Sequence, residues 1–284
     1  MEFRFACSDF TFPLLAHKKS LPLIALLGFD GVDIGLFEER SEIQPSMVFN
    51  DPEKNGKLLK KMTDDNGLKV ADVFYQGALD FTVKAINHPD EKIRKIEREN
   101  FLKTLEYAVA AQSYHVTCLP GVHYEGETVT DSLLRVSEEL AWRVEEAKKM
   151  DISFGVEPHI GSIISTPEQT LALLQMTDGL RLTLDYTHFM RQNIPNERVH
   201  PLIPYASHFH ARGAASGKLQ TSVAENEIDY GLIVEKMKEV GYEGYIGIEY
   251  IWMEWENCNR TDNVSESILL MELLKERRRE DRHA

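Results

Sequence analysis

Four stretches in the second half of the chain hold residues whose types and spacing could do chemistry if a fold brought them together. Glu157 follows an apolar run in "ISFGVEPHIGS", with His159 two positions on. Asp185 and His188 form a D-x-x-H pair in "LRLTLDYTHFMRQN". His208, His210 and Arg212 take alternate positions in "ASHFHARGAASGKLQ", and Glu249 stands among apolar neighbours in "GYEGYIGIEYIWMEW". A carboxylate in such a run is costly to bury unless it is paired, hydrogen-bonded or bound to a cation. Histidine near neutral pH moves protons, ligates metals or simply packs. Taken singly, each has an ordinary reading: Glu157 as a salt-bridge or loop-capping group, Asp185 as a turn former, His159 as a loop orienter, and Arg212 as a surface ion pair or a contact to an anionic or hydroxyl-rich substrate. Taken together, Glu157, Asp185, His210 and Glu249 would repel at one mouth unless a divalent ion neutralised them. Their oxygen-rich donor set favours Mn²⁺ or Mg²⁺, with Co²⁺ and Zn²⁺ open.

The elements that must position them alternate along the chain. Strand-like segments are "FRFAC", "GVDIGLF", "LKVADVFY", "HVTCLP", "ISFGVEP", "LRLTLDY", "ASHFHA" and "GYIGIEY", each rich in β-branched or aromatic residues. Between them lie helical patterns with start signals: Ser20 as a cap with Pro22 in the first turn, Asp51 before Pro52, and Thr166 before Pro167 and Glu168. Further helical spacing runs through residues 88–111, 129–150, 228–242 and 265–276. This order predicts a parallel sheet with crossover helices. Eight units in 284 residues predict one (β/α)8 TIM barrel over 1–284, with a charged helical tail from about residue 275, and an active site at the C-terminal strand ends. An open doubly wound sheet is the alternative, without a GxGxxG to support it. In the barrel, His208 and His210 face the interior and Phe209 the helices. Trp252 and Trp255 read as packing, and Arg191, Lys218 and Gln220 as loop residues within reach of a substrate. In the first four strands His115 and, farther on, His123 stand as isolated histidines.

Bulk properties narrow the function. The net charge of −14 disfavours nucleic acid and anionic membrane surfaces as partners. No signal-peptide pattern opens the chain and no run is long enough to span a bilayer. Cys7, Cys118 and Cys258 lack CxxC spacing, which suits free thiols and a cytoplasmic location.

The motifs "GVEP", "LDYTH", "HFHARG" and "IDYGLIVEKMKEVGYEGYIGIEY" make the chain resemble the xylose isomerase-like TIM-barrel superfamily, within its sugar phosphate isomerase/epimerase group, over nearly its whole length. The resemblance implies one metal ion held by Glu157, Asp185, His210 and Glu249, with Mn²⁺ as the expected metal. It selects His210 over His208 as the ligand, leaving His208 as a supporting or substrate-contact residue beside His159. It makes His188 and Arg212 substrate contacts. The implied reaction is isomerisation or epimerisation of a ketose or related keto-sugar through an enediolate, with Glu157 and Glu249 exchanging the roles of base and acid. The same centre would serve a lyase or dehydratase acting on a keto-inositol or 3-keto-glycoside. A phosphodiesterase like the apurinic-site endonucleases, or a non-catalytic sugar-binding protein, are the further readings. The resemblance also allows a homo-oligomer.

Overall fold

In the computed structural model, which describes residues 3–279, strand order follows chain order and the last strand closes on the first. Among the described residues the strands are β1 (Arg4–Ser8), β2 (Gly31–Phe37), β3 (Lys69–Gln76), β4 (His115–Cys118), β5 (Ser153–Val156), β6 (Arg181–Asp185), β7 (Ala206–Ala211) and β8 (Tyr245–Ile248). All neighbouring pairs are parallel, and Arg4 opposite Tyr245 through Cys7 opposite Ile248 close the ring. The eight expected segments are these eight strands. They are covered on both faces, which is why they read as apolar runs rather than strict alternation.

The described helices are α1 (His17–Leu26), α2 (Pro45–Val48), α3 (Pro52–Asp64), α4 (Glu91–Ala110), α5 (Val129–Lys149), α6 (Pro167–Met176), α7 (Thr187–Met190), α8 (Asn196–Val199), α9 (Tyr230–Glu239) and α10 (Asn263–Arg279). Asp51 caps α3 through the Lys54 N–H, and Thr166 and Gln169 form a reciprocal capping box on α6. The expected start of α1 at Ser20 is wrong. The Glu42 carboxylate, from the loop after β2, accepts the His17 N–H, and the helix starts four residues earlier than a Ser20 cap would have it. Ser20 is therefore buried within the helix and Pro22 lies inside it. The charged tail expected from about residue 275 continues α10 to Arg279, and residues 280–284 lie outside the described part.

The main core fills the layer between barrel and helices, with Phe101, Leu105, Leu140, Leu173, Phe209 and Ile233 among its members. A second apolar cluster of Phe10, Phe37, Phe74, Leu219, Ile251 and Cys258 packs separately, bringing together the ends of β2 and β3 with the loops after β7 and β8. The three cysteines are free and buried. No described helix is long and apolar enough to cross a membrane.

Candidate functional site

The strand ends place the expected residues as the two-residue period requires. Glu157 directly follows β5, its N–H donating to the Cys118 carbonyl and extending the β4–β5 ladder. Asp185 ends β6 in register with His210, which in turn lies opposite Gly247 of β8. Glu249 is one residue beyond β8 rather than inside it, and its N–H still reaches the Ala211 carbonyl. All four are buried.

Glu157, His210 and Glu249 each bring one ligand atom to within 4.8 Å of the others. His210 Nδ1 lies 2.8 Å from Glu157 Oε1 and 3.8 Å from Glu249 Oε1. His188 Nε2 sits between Asp185 Oδ2 at 3.6 Å and Glu157 Oε2 at 3.7 Å. Arg212 closes the group, with Nη2 at 3.0 Å from Asp185 Oδ2 and Nη1 at 3.2 Å from Glu249 Oε2. Asp185 is the most committed carboxylate: it also accepts the N–H and hydroxyl of Thr187, both at 2.8 Å. The backbone that aims Arg212 is pinned by the Tyr230 hydroxyl, which accepts its N–H and donates to its carbonyl, and by the Tyr250 hydroxyl on Gly213.

Crowded negative charge governs protonation here. Burial, aided by the Glu249 charge, pushes the Glu157 carboxyl up to about 7 against the pull of His210. Burial works against a charged His210 ring, but Glu249 and Glu157 raise it to about 10. Burial holds His159 down to about 4 and keeps His188 well below the usual histidine range, with Arg212 adding to both effects. Protons and one guanidinium are thus what balance the carboxylates. A divalent cation fits the same place: the donors are carboxylate oxygens and one imidazole, and Glu249 Oε2 is buried with no directed hydrogen bond. Glu157, His210 and Glu249 would hold it, while Asp185, the fourth expected ligand, is paired with Arg212 and Thr187 and lies outside that converging group.

His159 joins Glu157 and His188 in a second group of converging ligand atoms. Its ring lies 4.2 Å from that of His188 and stacks on Trp255 at 5.6 Å with 6° between planes. Trp255 packs as expected, against His159, and is 38% exposed. His208 points inward as expected but lies one layer deeper, with Nε2 at 3.1 Å from Asp33 Oδ2. Gly247 makes room for this contact, because a Cβ there would stand 2.0 Å from Asp33 Oδ2.

The sequence reading missed that deeper layer. His115 is not isolated: Nδ1 bonds Asp72 Oδ1 at 2.8 Å, Nε2 meets the Ser207 hydroxyl at 2.8 Å, and the ring stacks on His208. Its signal was an acid inside each of two apolar strands, Asp33 in "GVDIGLF" and Asp72 in "LKVADVFY". His123 is exposed and bonds the Glu127 carbonyl. Three loop residues considered as contacts are engaged elsewhere. Arg191 pairs with Glu256 and Lys218 faces Glu225, while Gln220 bridges the Ile251 backbone, the Cys258 carbonyl and Thr261.

Residues 21–274 match the family model described as xylose isomerase-like TIM barrel. The uncharacterized protein MJ1311 of Methanocaldococcus jannaschii is 26% identical over 290 residues, covering 97% of this chain and 90% of its own. A solved L-ribulose 3-epimerase superposes with a TM-score of 0.78 at 18% identity, covering 99% of this chain and 97% of that one. The probable 3-DHS dehydratase AsbF of Bacillus anthracis does so at 0.69 and 14%, covering 94% and 98%. With the closed barrel and the match over most of its length, the chain belongs to the xylose isomerase-like TIM-barrel family.

Proposed function

We propose that this protein is a divalent-metal-dependent isomerase or epimerase that moves a proton beside the carbonyl of a ketose or related keto-sugar, with Mn²⁺ as its metal. The observation that carries the reading is the pair of buried glutamates, Glu157 and Glu249, converging on His210 within 4.8 Å. The bound ion would polarise the substrate carbonyl and stabilise the negative charge that follows loss of the α-proton.

Glu157, with its oxygens beside His210 and His188, takes and returns the proton. Glu249 supplies the partner carboxylate, and in epimerisation the two act from opposite faces of the substrate. Arg212 and His188 donate to hydroxyl oxygens and to the developing charge. His159, backed by Trp255, lines the sugar's approach. His208, held by Asp33 one layer below, contributes by fixing the surroundings of His210 rather than by touching substrate. Asp185 holds Arg212 and Thr187 in place as well as facing the metal position.

Elimination from the same enediolate is the second reading. It is favoured by His159, a third proton-transfer group beside Glu157 and His188. Incubation of Mn²⁺-loaded protein with ketoses, keto-inositols and 3-keto-glycosides in D₂O, read by NMR, tests both. Exchange with an isomeric product supports the first reading, exchange with loss of a substituent the second, and absence of exchange contradicts both.

A further inference from the structure

One cation at the mouth is not used by the chemistry above. At the end of β2 the chain turns through Glu39 with φ of 63°, a left-handed conformation that a glutamate adopts only when its surroundings impose it. The turn is clamped. Gln44 accepts the Glu39 N–H and donates to the Ser41 carbonyl, and the Ser41 hydroxyl accepts the Phe37 N–H. The result is to hold Arg40 with its guanidinium 4.6 Å from the Phe37 ring centre and 5.7 Å from that of Phe10.

Among the described residues that guanidinium forms no ion pair and no hydrogen bond. The Phe37 ring beneath it lies 5.2 Å from that of Phe74, which is 6.0 Å from the His210 ring, so a chain of ring contacts joins Arg40 to the centre, and the Glu249 charge acts on it. Asp9 is already taken by the His17 ring and the Gly35 N–H. Glu249 and Glu157 are committed to His210, Arg212 and the proposed metal. The Arg40 guanidinium is left with its planar donor fork braced on aromatic rings and unspent. Such a fork suits two oxygens of one anionic group.

We propose that Arg40 forms an anion subsite beside the metal centre, so that the substrate is a keto-sugar bearing a carboxylate or a phosphate. This rests on the keto-sugar reading for the rest of the substrate. The turn aims a donor set that no described protein group satisfies.

The test is calorimetric titration of Mn²⁺-loaded protein with two matched pairs, D-ribulose 5-phosphate against D-ribulose and 5-keto-D-gluconate against L-sorbose. The expected result is that the anionic member of at least one pair binds about 10- to 100-fold tighter than its neutral partner, and the pair that shows it identifies phosphate or carboxylate as the source. Arg40→Gln and Arg40→Met, the second keeping apolar bulk over Phe37, should each remove that advantage while leaving neutral-sugar binding within about threefold. Equal binding of anionic and neutral members, no binding of either anion, or an advantage that survives both substitutions would overturn the proposal. Proton exchange in D₂O is followed in parallel. Arg40-dependent anion binding without exchange rejects the keto-sugar chemistry and keeps the subsite. Exchange indifferent to Arg40 on neutral sugars, with no anion preference, keeps the chemistry and rejects the subsite.

Discussion

Replacing Glu157 or Glu249 with glutamine keeps side-chain shape and removes the group that exchanges a proton. Each substitution should lower turnover by about 10²- to 10⁴-fold with a melting temperature close to that of the parent. Full activity in Glu249→Gln would contradict the assignment. His210→Ala and Asp185→Ala make a separate prediction: purified protein should lose its bound metal by elemental analysis, because each removes a donor and Asp185→Ala also releases Arg212. Metal retained at parental stoichiometry in both would place the ion elsewhere. The acids and histidines of the second half were legible in the sequence because burying charge in an apolar run demands a partner, and a period of two says which of them share a face. Asp33, Asp72 and His115 were not, because each is alone in its own strand and meets its partner only after the barrel closes; Asp33 and His208 are 175 positions apart.

At the scale of elements, the ends of strands and helices decide what reaches the mouth. Asp9 ties α1 to β2, accepting from the His17 ring at 2.6 Å and from the Gly35 N–H at 2.9 Å. Burial opposes a charged His17, but the Asp9 hydrogen bond and charge, with Glu42 adding, hold its pKa above the usual 6.5. The folded value exceeds the unfolded one, so the stabilisation is complete below about pH 6.5 and is lost as pH rises through the folded pKa. Urea unfolding should show His17→Gln destabilised by about 1.5–3 kcal/mol at pH 6, with a smaller difference at pH 9. A deficit independent of pH would contradict the pairing. This connection also explains the misplaced start of α1. The Ser20 and Pro22 signal is local, whereas the acceptor that starts the helix is Glu42, reached only through the fold. Where the cap is local, as at Asp51 and Thr166, sequence and structure agree. The turn that aims Arg40 left no mark in the sequence, because its left-handed residue is a glutamate rather than glycine or asparagine.

Over the whole molecule, a closed parallel barrel concentrates the ends of distant strands at one mouth, and the cost of gathering carboxylates there is carried by the fold until a cation binds. Metal that binds only the folded chain stabilises it by mass action, about 2.7 kcal/mol at 100 times its dissociation constant. For a chain of this length the melting temperature should rise by roughly 5–8 °C on adding Mn²⁺ and fall back with a chelator. No shift would contradict a metal centre built from the strand ends. The strand order was legible throughout, since eight apolar segments separated by helical patterns admit few arrangements. The polar layer inside the barrel was not, because closure alone brings β2, β3 and β4 against β7.

The most direct test of the central claim is α-proton exchange in D₂O, by NMR, with Mn²⁺-loaded protein and with Glu249→Gln under the same conditions. The parent should incorporate deuterium beside the carbonyl of a keto-sugar only when metal is bound, and the variant should not. Exchange by neither, in protein shown to hold its metal, would contradict the claim.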